Sequence, residues 1–137
     1  MRVRKAGETD LPSILELAKS LNLDYPGLDK DGLWVADDEG RIVGLVALKK
    51  HPDCLELCAL GVEPARRGLG IARALVEALM ASAPGDVHLA TVIPDFFEAC
   101  HFERTLEVPR SFIDKRKTSW CDGCDARLCA VMVRKAS

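Results

Sequence analysis

The segment L-G-V-E-P-A-R-R-G-L-G-I-A-R-A-L, residues 60–75, has the composition of an anion-binding turn. A β-prone run ends at Val62, Gly68 and Gly70 follow, and helical spacing sets in at once. The amides of Gly68, Leu69, Gly70, Ile71 and Ala72 can then converge at the positive end of a helix, where a phosphate or diphosphate is stabilised. A P-loop needs Lys and Ser or Thr directly after its last glycine, and neither follows here. A dinucleotide fingerprint needs a third glycine where Arg73 stands, too large for close helix-strand contact. The remaining alternative is a plain strand-to-helix turn, against which the L-x-V-x-P preceding the arginines weighs.

A second cluster, Cys121, Cys124 and Cys129, gives C-x-x-C-x-x-x-x-C, with Gly123 permitting a tight turn between the first two thiols. The first spacing is that of a metal knuckle, so zinc or an iron-sulfur cluster is one reading, a redox-responsive dithiol a second and free thiols a third. A metal site needs a fourth ligand. Cys58, Cys100, His101 or a partner chain are open to it, and no spacing decides among them.

The elements that must position these groups fit into one domain. The 137 residues are 48% hydrophobic and 29% charged, as in folded globular chains. A net charge of −2 argues against a nucleic-acid-binding surface. The longest apolar stretch, 42–48, is too short to span a membrane, and the N-terminus lacks the apolar core of a secretory signal. A cytoplasmic location, with cysteines as reduced thiols, is expected.

Periodicity then sets the order. An edge strand over RVRKA is followed by a helix with Leu11, Ile14, Leu15, Leu17, Ala18 and Leu21 at helical spacing, capped by Thr9 or Asp10 and opened by Pro12. Apolar runs flanking Asp38-Glu39-Gly40 predict a hairpin, and HPDC turns it into a third strand, LELCALGV. A helix over 68–83 carries Leu69, Ala72, Leu75, Val76, Leu79 and Met80 on one stripe. Strands VHLATVI, TLEV and RLCAVMV and a short helix from Pro94 complete the chain. The connection 110–126 is long for a hairpin and is therefore functional or internally pinned. The fold class expected is α/β (α+β): a mixed, mainly antiparallel sheet flanked by helices, in one domain over 1–137 with a cysteine-containing loop at 110–129.

With those elements in place, L60-G-V-E-P-A-R-R-G-L-G-I-A72 resembles the acetyl-CoA signature of the GNAT superfamily of N-acetyltransferases, [QR]-x-x-G-x-[GA], whose fixed positions Arg67, Gly70 and Ala72 fill. The resemblance implies the acyl-CoA N-acyltransferase fold, in which the fourth strand splays from the fifth and admits the pantetheine arm. Leu60, Gly61 and Val62 match the strand edge that pairs with that arm. Arg67, Gly68, Leu69, Gly70, Ile71 and Ala72 match the diphosphate turn, and Arg66 and Arg73 add charge.

Acetyl transfer needs a neutral amine, hence a group to accept its proton. Glu56 is the candidate: it lies six residues before Val62, the spacing of the glutamate base in some family members, and alternation puts it on one face with Cys58 and Leu60. An outward-facing strand glutamate is the alternative. Many members carry a tyrosine acid in [FY]-Y-x-x-x-G-F. Here F-F-E-A-C-H-F, residues 96–102, has Phe97 at the tyrosine and His101 at the glycine, and the single tyrosine is Tyr25. The F-F-x-x-x-x-F pattern, with Val-Pro and a basic stretch after it, is closer to amino-acid N-acetyltransferases of the N-acetylglutamate synthase type than to histone acetylators.

The expectation is an acetyl-CoA-dependent N-acetyltransferase acting on a small-molecule amine, an amino acid among the candidates, by direct attack on the thioester. A CoA-binding or metal- or redox-sensing module with little catalysis is the rival, and a protein-lysine acetylator a third reading. The partners implied are a small amine, neither nucleic acid nor membrane, with a homodimer left open.

Overall fold

The computed structural model describes residues 1–116 and 130–136. In chain order the elements are β1 (Arg2–Lys5), α1 (Leu11–Ser20), β2 (Gly32–Asp38), β3 (Arg41–Lys50), β4 (Leu55–Val62), α2 (Ile71–Ser82), β5 (Val87–Thr91), α3 (Pro94–Ala99), β6 (Glu103–Arg104), α4 (Arg110–Arg116) and β7 (Ala130–Arg134). The strands form a mixed sheet in the order β1-β2-β3-β4-β5-β7-β6. Among the described residues no helix is long and apolar enough to cross a membrane.

The chain forms two compact units, Met1–Lys49 with Leu57–Ser82, and Lys50–Glu56 with Ala83–Ser137. In the first, β1 pairs antiparallel with β2, and β2 with β3. Glu39 and Gly40 take positive φ of 51° and 91°, the backbone a two-residue hairpin turn demands. Seven consecutive residues of β3, from Ile42 to Leu48, are buried, as in a strand covered on both faces. α1 packs Ile14 and Ala18 against Leu28, Leu33, Val35, Leu45 and Ala47.

The α1 stripe is narrower than its spacing predicts, with Leu15 40% exposed. Asp10 does not cap α1 either. Its carboxylate accepts from the Gly7 amide at 2.7 Å and from Arg4, which ties the chain back to β1 instead. α2 starts at Ile71 rather than at residue 68, and buries Ile71, Leu75, Val76, Leu79 and Met80. Leu69, expected on that stripe, precedes the helix and is 66% exposed.

In the second unit β5 pairs along its full length with β7, antiparallel, and β7 pairs with β6. The expected strand TLEV is displaced: β6 is Glu103–Arg104, and Leu106 is fully exposed. The Thr105 amide still bonds the Val131 carbonyl, but Thr105 Oγ1 then accepts the Glu107 amide and turns the chain out of the ladder toward Pro109. Within the expected long connection, α4 docks Phe112, which is buried, while Ser111 bonds Asp53 through its amide and hydroxyl. Those bonds hold the Asp53 carboxyl below the usual carboxylate range.

Candidate functional site

The turn between β4 and α2 is built by two left-handed glycines. Gly68 and Gly70 have φ of 83° and 80°, and a Cβ added at either would meet nothing within 4 Å. Open space therefore lies above the backbone where side chains are missing. A short 3-10 turn over Pro64–Arg66 precedes it, closed by the Arg66 and Arg67 amides. The first bond into α2 is Ala74 N to Gly70 O at 3.1 Å, and the amides of 68–72 have no acceptor among the described residues. Five unpaired donors at the start of a twelve-residue helix form the electropositive concavity that an anion fills.

The arginines around the turn divide. Arg67 Nε donates to the Val62 carbonyl at 3.2 Å, so its side chain folds back and clamps the turn onto the end of β4. Arg66 pairs with Asp38 of the hairpin. Arg73 is exposed on the first turn of α2. Gly61 allows close packing: a Cβ there would stand 2.3 Å from Leu23 Cδ1 and 3.0 Å from Leu21 Cδ1.

β4 itself is bent out of regular alternation. Ala59 has φ of 54°, a left-handed residue inside a strand, so the alternation expected to put Glu56, Cys58 and Leu60 on one face is interrupted between Cys58 and Leu60. Cys58 and Ala59 pack on the first unit's core, and Cys58 Sγ lies 3.1 Å from Tyr25 OH, which also bonds Asp31. Lys49 Nζ covers the Tyr25 ring at 4.9 Å. Burial raises the Tyr25 phenol above its ordinary value, with Cys58 and Asp31 adding to the shift, so the hydroxyl stays protonated.

In the second unit, the parallel pairing of β4 with β5 is confined to Leu55↔Val87 and Glu56↔His88. Glu56 is 3% exposed, which removes the outward-facing alternative, and its Oε1 lies 2.7 Å from His51 Nε2. Phe97, at the expected tyrosine position, is buried edge-on against Phe96 and Phe102. His101 holds φ of 69°, the left-handed conformation that explains why the family pattern has glycine at this position.

Cys121, Cys124 and Cys129 lie outside the described residues. Among the described residues no group of three or more His, Cys, Asp or Glu is arranged to hold a metal ion.

The sequence profile of the acetyltransferase (GNAT) family matches residues 7–106. The chain belongs to the GNAT acetyltransferase family. A mycothiol acetyltransferase of Thermomonospora curvata is 41% identical over 51 residues, covering 36% of this chain and 17% of that protein. N-acetylglutamate synthase from Neisseria gonorrhoeae, solved with coenzyme A and N-acetyl-glutamate, superposes with a TM-score of 0.80 at 18% identity, covering 99% of this chain and 35% of that one. A Mycobacterium tuberculosis protein solved with CoA superposes at 0.73 and 22% identity, covering 98% and 99%. At those identities the superpositions establish the fold, so the GNAT assignment rests on the family match and the architecture it shares with them.

Two features of this GNAT chain escape the sequence. His51 carries no motif, since five residues and a turn separate it from Glu56. The Asp53-Ser111 link joins positions 58 residues apart. Only Pro109 ahead of Arg110 hints at a helix start there.

Proposed function

We propose that the chain transfers the acetyl group of acetyl-CoA to the amine of a small molecule of amino-acid type, without an acyl-enzyme intermediate. The observation that carries this reading is the open turn at 68–72, five amides without acceptors among the described residues above two left-handed glycines. The diphosphate of CoA takes those donors, and the pantetheine arm pairs along Leu60, Gly61 and Val62. The neutral amine attacks the thioester carbonyl carbon, the carbon-sulfur bond breaks, the amine proton goes to the Glu56 carboxylate, and solvent protonates the departing thiolate. Phe97 offers no hydroxyl for that last proton, which is why solvent is proposed as its source.

CoA in the structures of both neighbours supports the donor, and N-acetyl-glutamate in one supports an amino-acid acceptor. The buried hydrocarbon of Phe97 also favours a second reading, a CoA-binding module with little turnover. Thiol release from acetyl-CoA, followed across an amine library with mass spectrometry of the products, separates the two. Amine-dependent release with an acetylated product supports the enzyme, whereas tight CoA binding with no such release supports the module.

A further inference from the structure

Glu56 has a companion in the turn between β3 and β4. Glu56 is 3% exposed, and a carboxyl group so buried needs hydrogen-bond partners in place of the water it has lost. His51 Nε2 lies 2.7 Å from Glu56 Oε1 and, in the tautomer protonated at Nε2, donates to it. The imidazole is itself fixed. Its backbone amide bonds the Cys54 carbonyl at 2.9 Å, and its ring meets Phe112 edge-on with centroids 6.3 Å apart. Phe112 is 3% exposed and sits on α4, whose first turn is bonded to Asp53. The restraint thus runs from Asp53 through α4 and Phe112 to His51, and all of it lies in one compact unit.

We propose that His51 is the positioning residue for the Glu56 carboxylate, its Nε2–H holding Oε1 so that the group keeps one orientation to take the acceptor's proton. This rests on the reading of Glu56 as the base. His88, register partner of Glu56, has its Nδ1 buried without a partner among the described residues, and burial lowers its basicity. Asp53, Cys54 and Asp86 line the same pocket of about 480 Å³ as His51 and His88. Their hydrogen bonds hold the Asp53 and Asp86 carboxyls below the usual carboxylate range, the Cys54 thiol is pushed up to about 11, Lys135 pairs with Asp86, and Glu107 acts on His88 from farther off.

Carboxyl carbon NMR of the glutamate-labelled protein tests the contact without needing an acceptor, with E56Q identifying the Glu56 signal. H51F, which keeps the ring contact with Phe112 but removes the donor, is expected to displace the Glu56 carboxyl carbon resonance at pH 7.5, as loss of a hydrogen bond to Oε1 does. H51Q, whose amide reaches the place of Nε2, is expected to leave it near the parent position. An unmoved resonance in H51F, or an equal displacement in H51Q, overturns the proposal. Should H51F fail to fold, H51N, too short to reach Oε1, takes its place. Thiol release with a pool of the common amino acids judges the base separately. If E56Q releases thiol as fast as the parent while the H51F shift is present, the base reading fails and the contact stands.

Discussion

Replacing Gly70 by alanine isolates the diphosphate turn from everything around it. The added methyl meets nothing within 4 Å in the protein, so the fold loses only the cost of holding alanine at φ of 80°. That cost is about 1 kcal/mol, a fall of about 4 °C in Tm for a chain of this size. The methyl does occupy the space where phosphate oxygens would sit against the amides of 68–72. Losing one charge-assisted bond there weakens binding by about 1.5–3 kcal/mol, or about tenfold to a hundredfold in Kd. Pantetheine, which has no diphosphate, provides the internal control. Isothermal titration of parent and G70A with CoA and with pantetheine is expected to show the loss for CoA alone. Equal weakening of both ligands would mean that the substitution disturbs the strand edge, and undiminished CoA binding would mean that the turn holds no diphosphate. Either result refutes the reasoning.

Other positions give sharper tests of the fold than of the chemistry. H101G relieves a histidine held at φ of 69° and is expected to stabilise the protein by about 0.5–1 kcal/mol, read as a rise in Tm. The Asp10 carboxyl, bonded by Arg4 and by the Gly7 amide, is held down to about 2. Its folded value lies below its unfolded one, so the stability it contributes is complete above pH 4 and is lost as pH falls toward 2. Discounted for solvent exposure, that contribution is about 1 kcal/mol, and D10N is expected to flatten the acid limb of urea-measured stability by that amount. Burial depresses the His88 imidazole, so the unfolded chain takes up the proton first. Stability is therefore expected to fall as pH drops below about 6.5, and H88Q to remove that part of the slope, as monitored by thermal melts between pH 7.5 and 5.5.

The parts of this molecule legible in its sequence are those that local chemistry dictates. Glu39-Gly40 and the Gly68 and Gly70 turn are readable because only certain residues tolerate positive φ, and β3 and α2 because apolar spacing tracks burial. β6 lies elsewhere than periodicity puts it because Leu106 and Val108 look β-prone, while the true strand, Glu103–Arg104, is exposed and exists only through pairing with β7. Its residues carry no pattern, and tertiary context alone selects them. Asp10 misleads as a helix cap because a capping residue and a salt-bridge residue have the same side chain. Choosing between them requires Arg4 and Asp37, the latter brought near through a strand pairing over thirty residues apart.

The same limit explains why β4 reads as a regular strand. Alternation treats each residue as facing up or down, but Ala59 at φ of 54° spends one residue on a turn of the backbone, so the residues after it are re-aimed. Glu56 precedes Ala59 and is buried against His51, and Leu60 to Val62 come after it and lead into the glycine turn. A strained alanine in mid-strand costs free energy that a regular strand would not. In sequence it stands between the candidate base and the candidate cofactor edge, and such strain persists only where the surrounding structure over-determines it. No period-two pattern encodes that, and alanine, the least distinctive residue of the run, gives no warning of it.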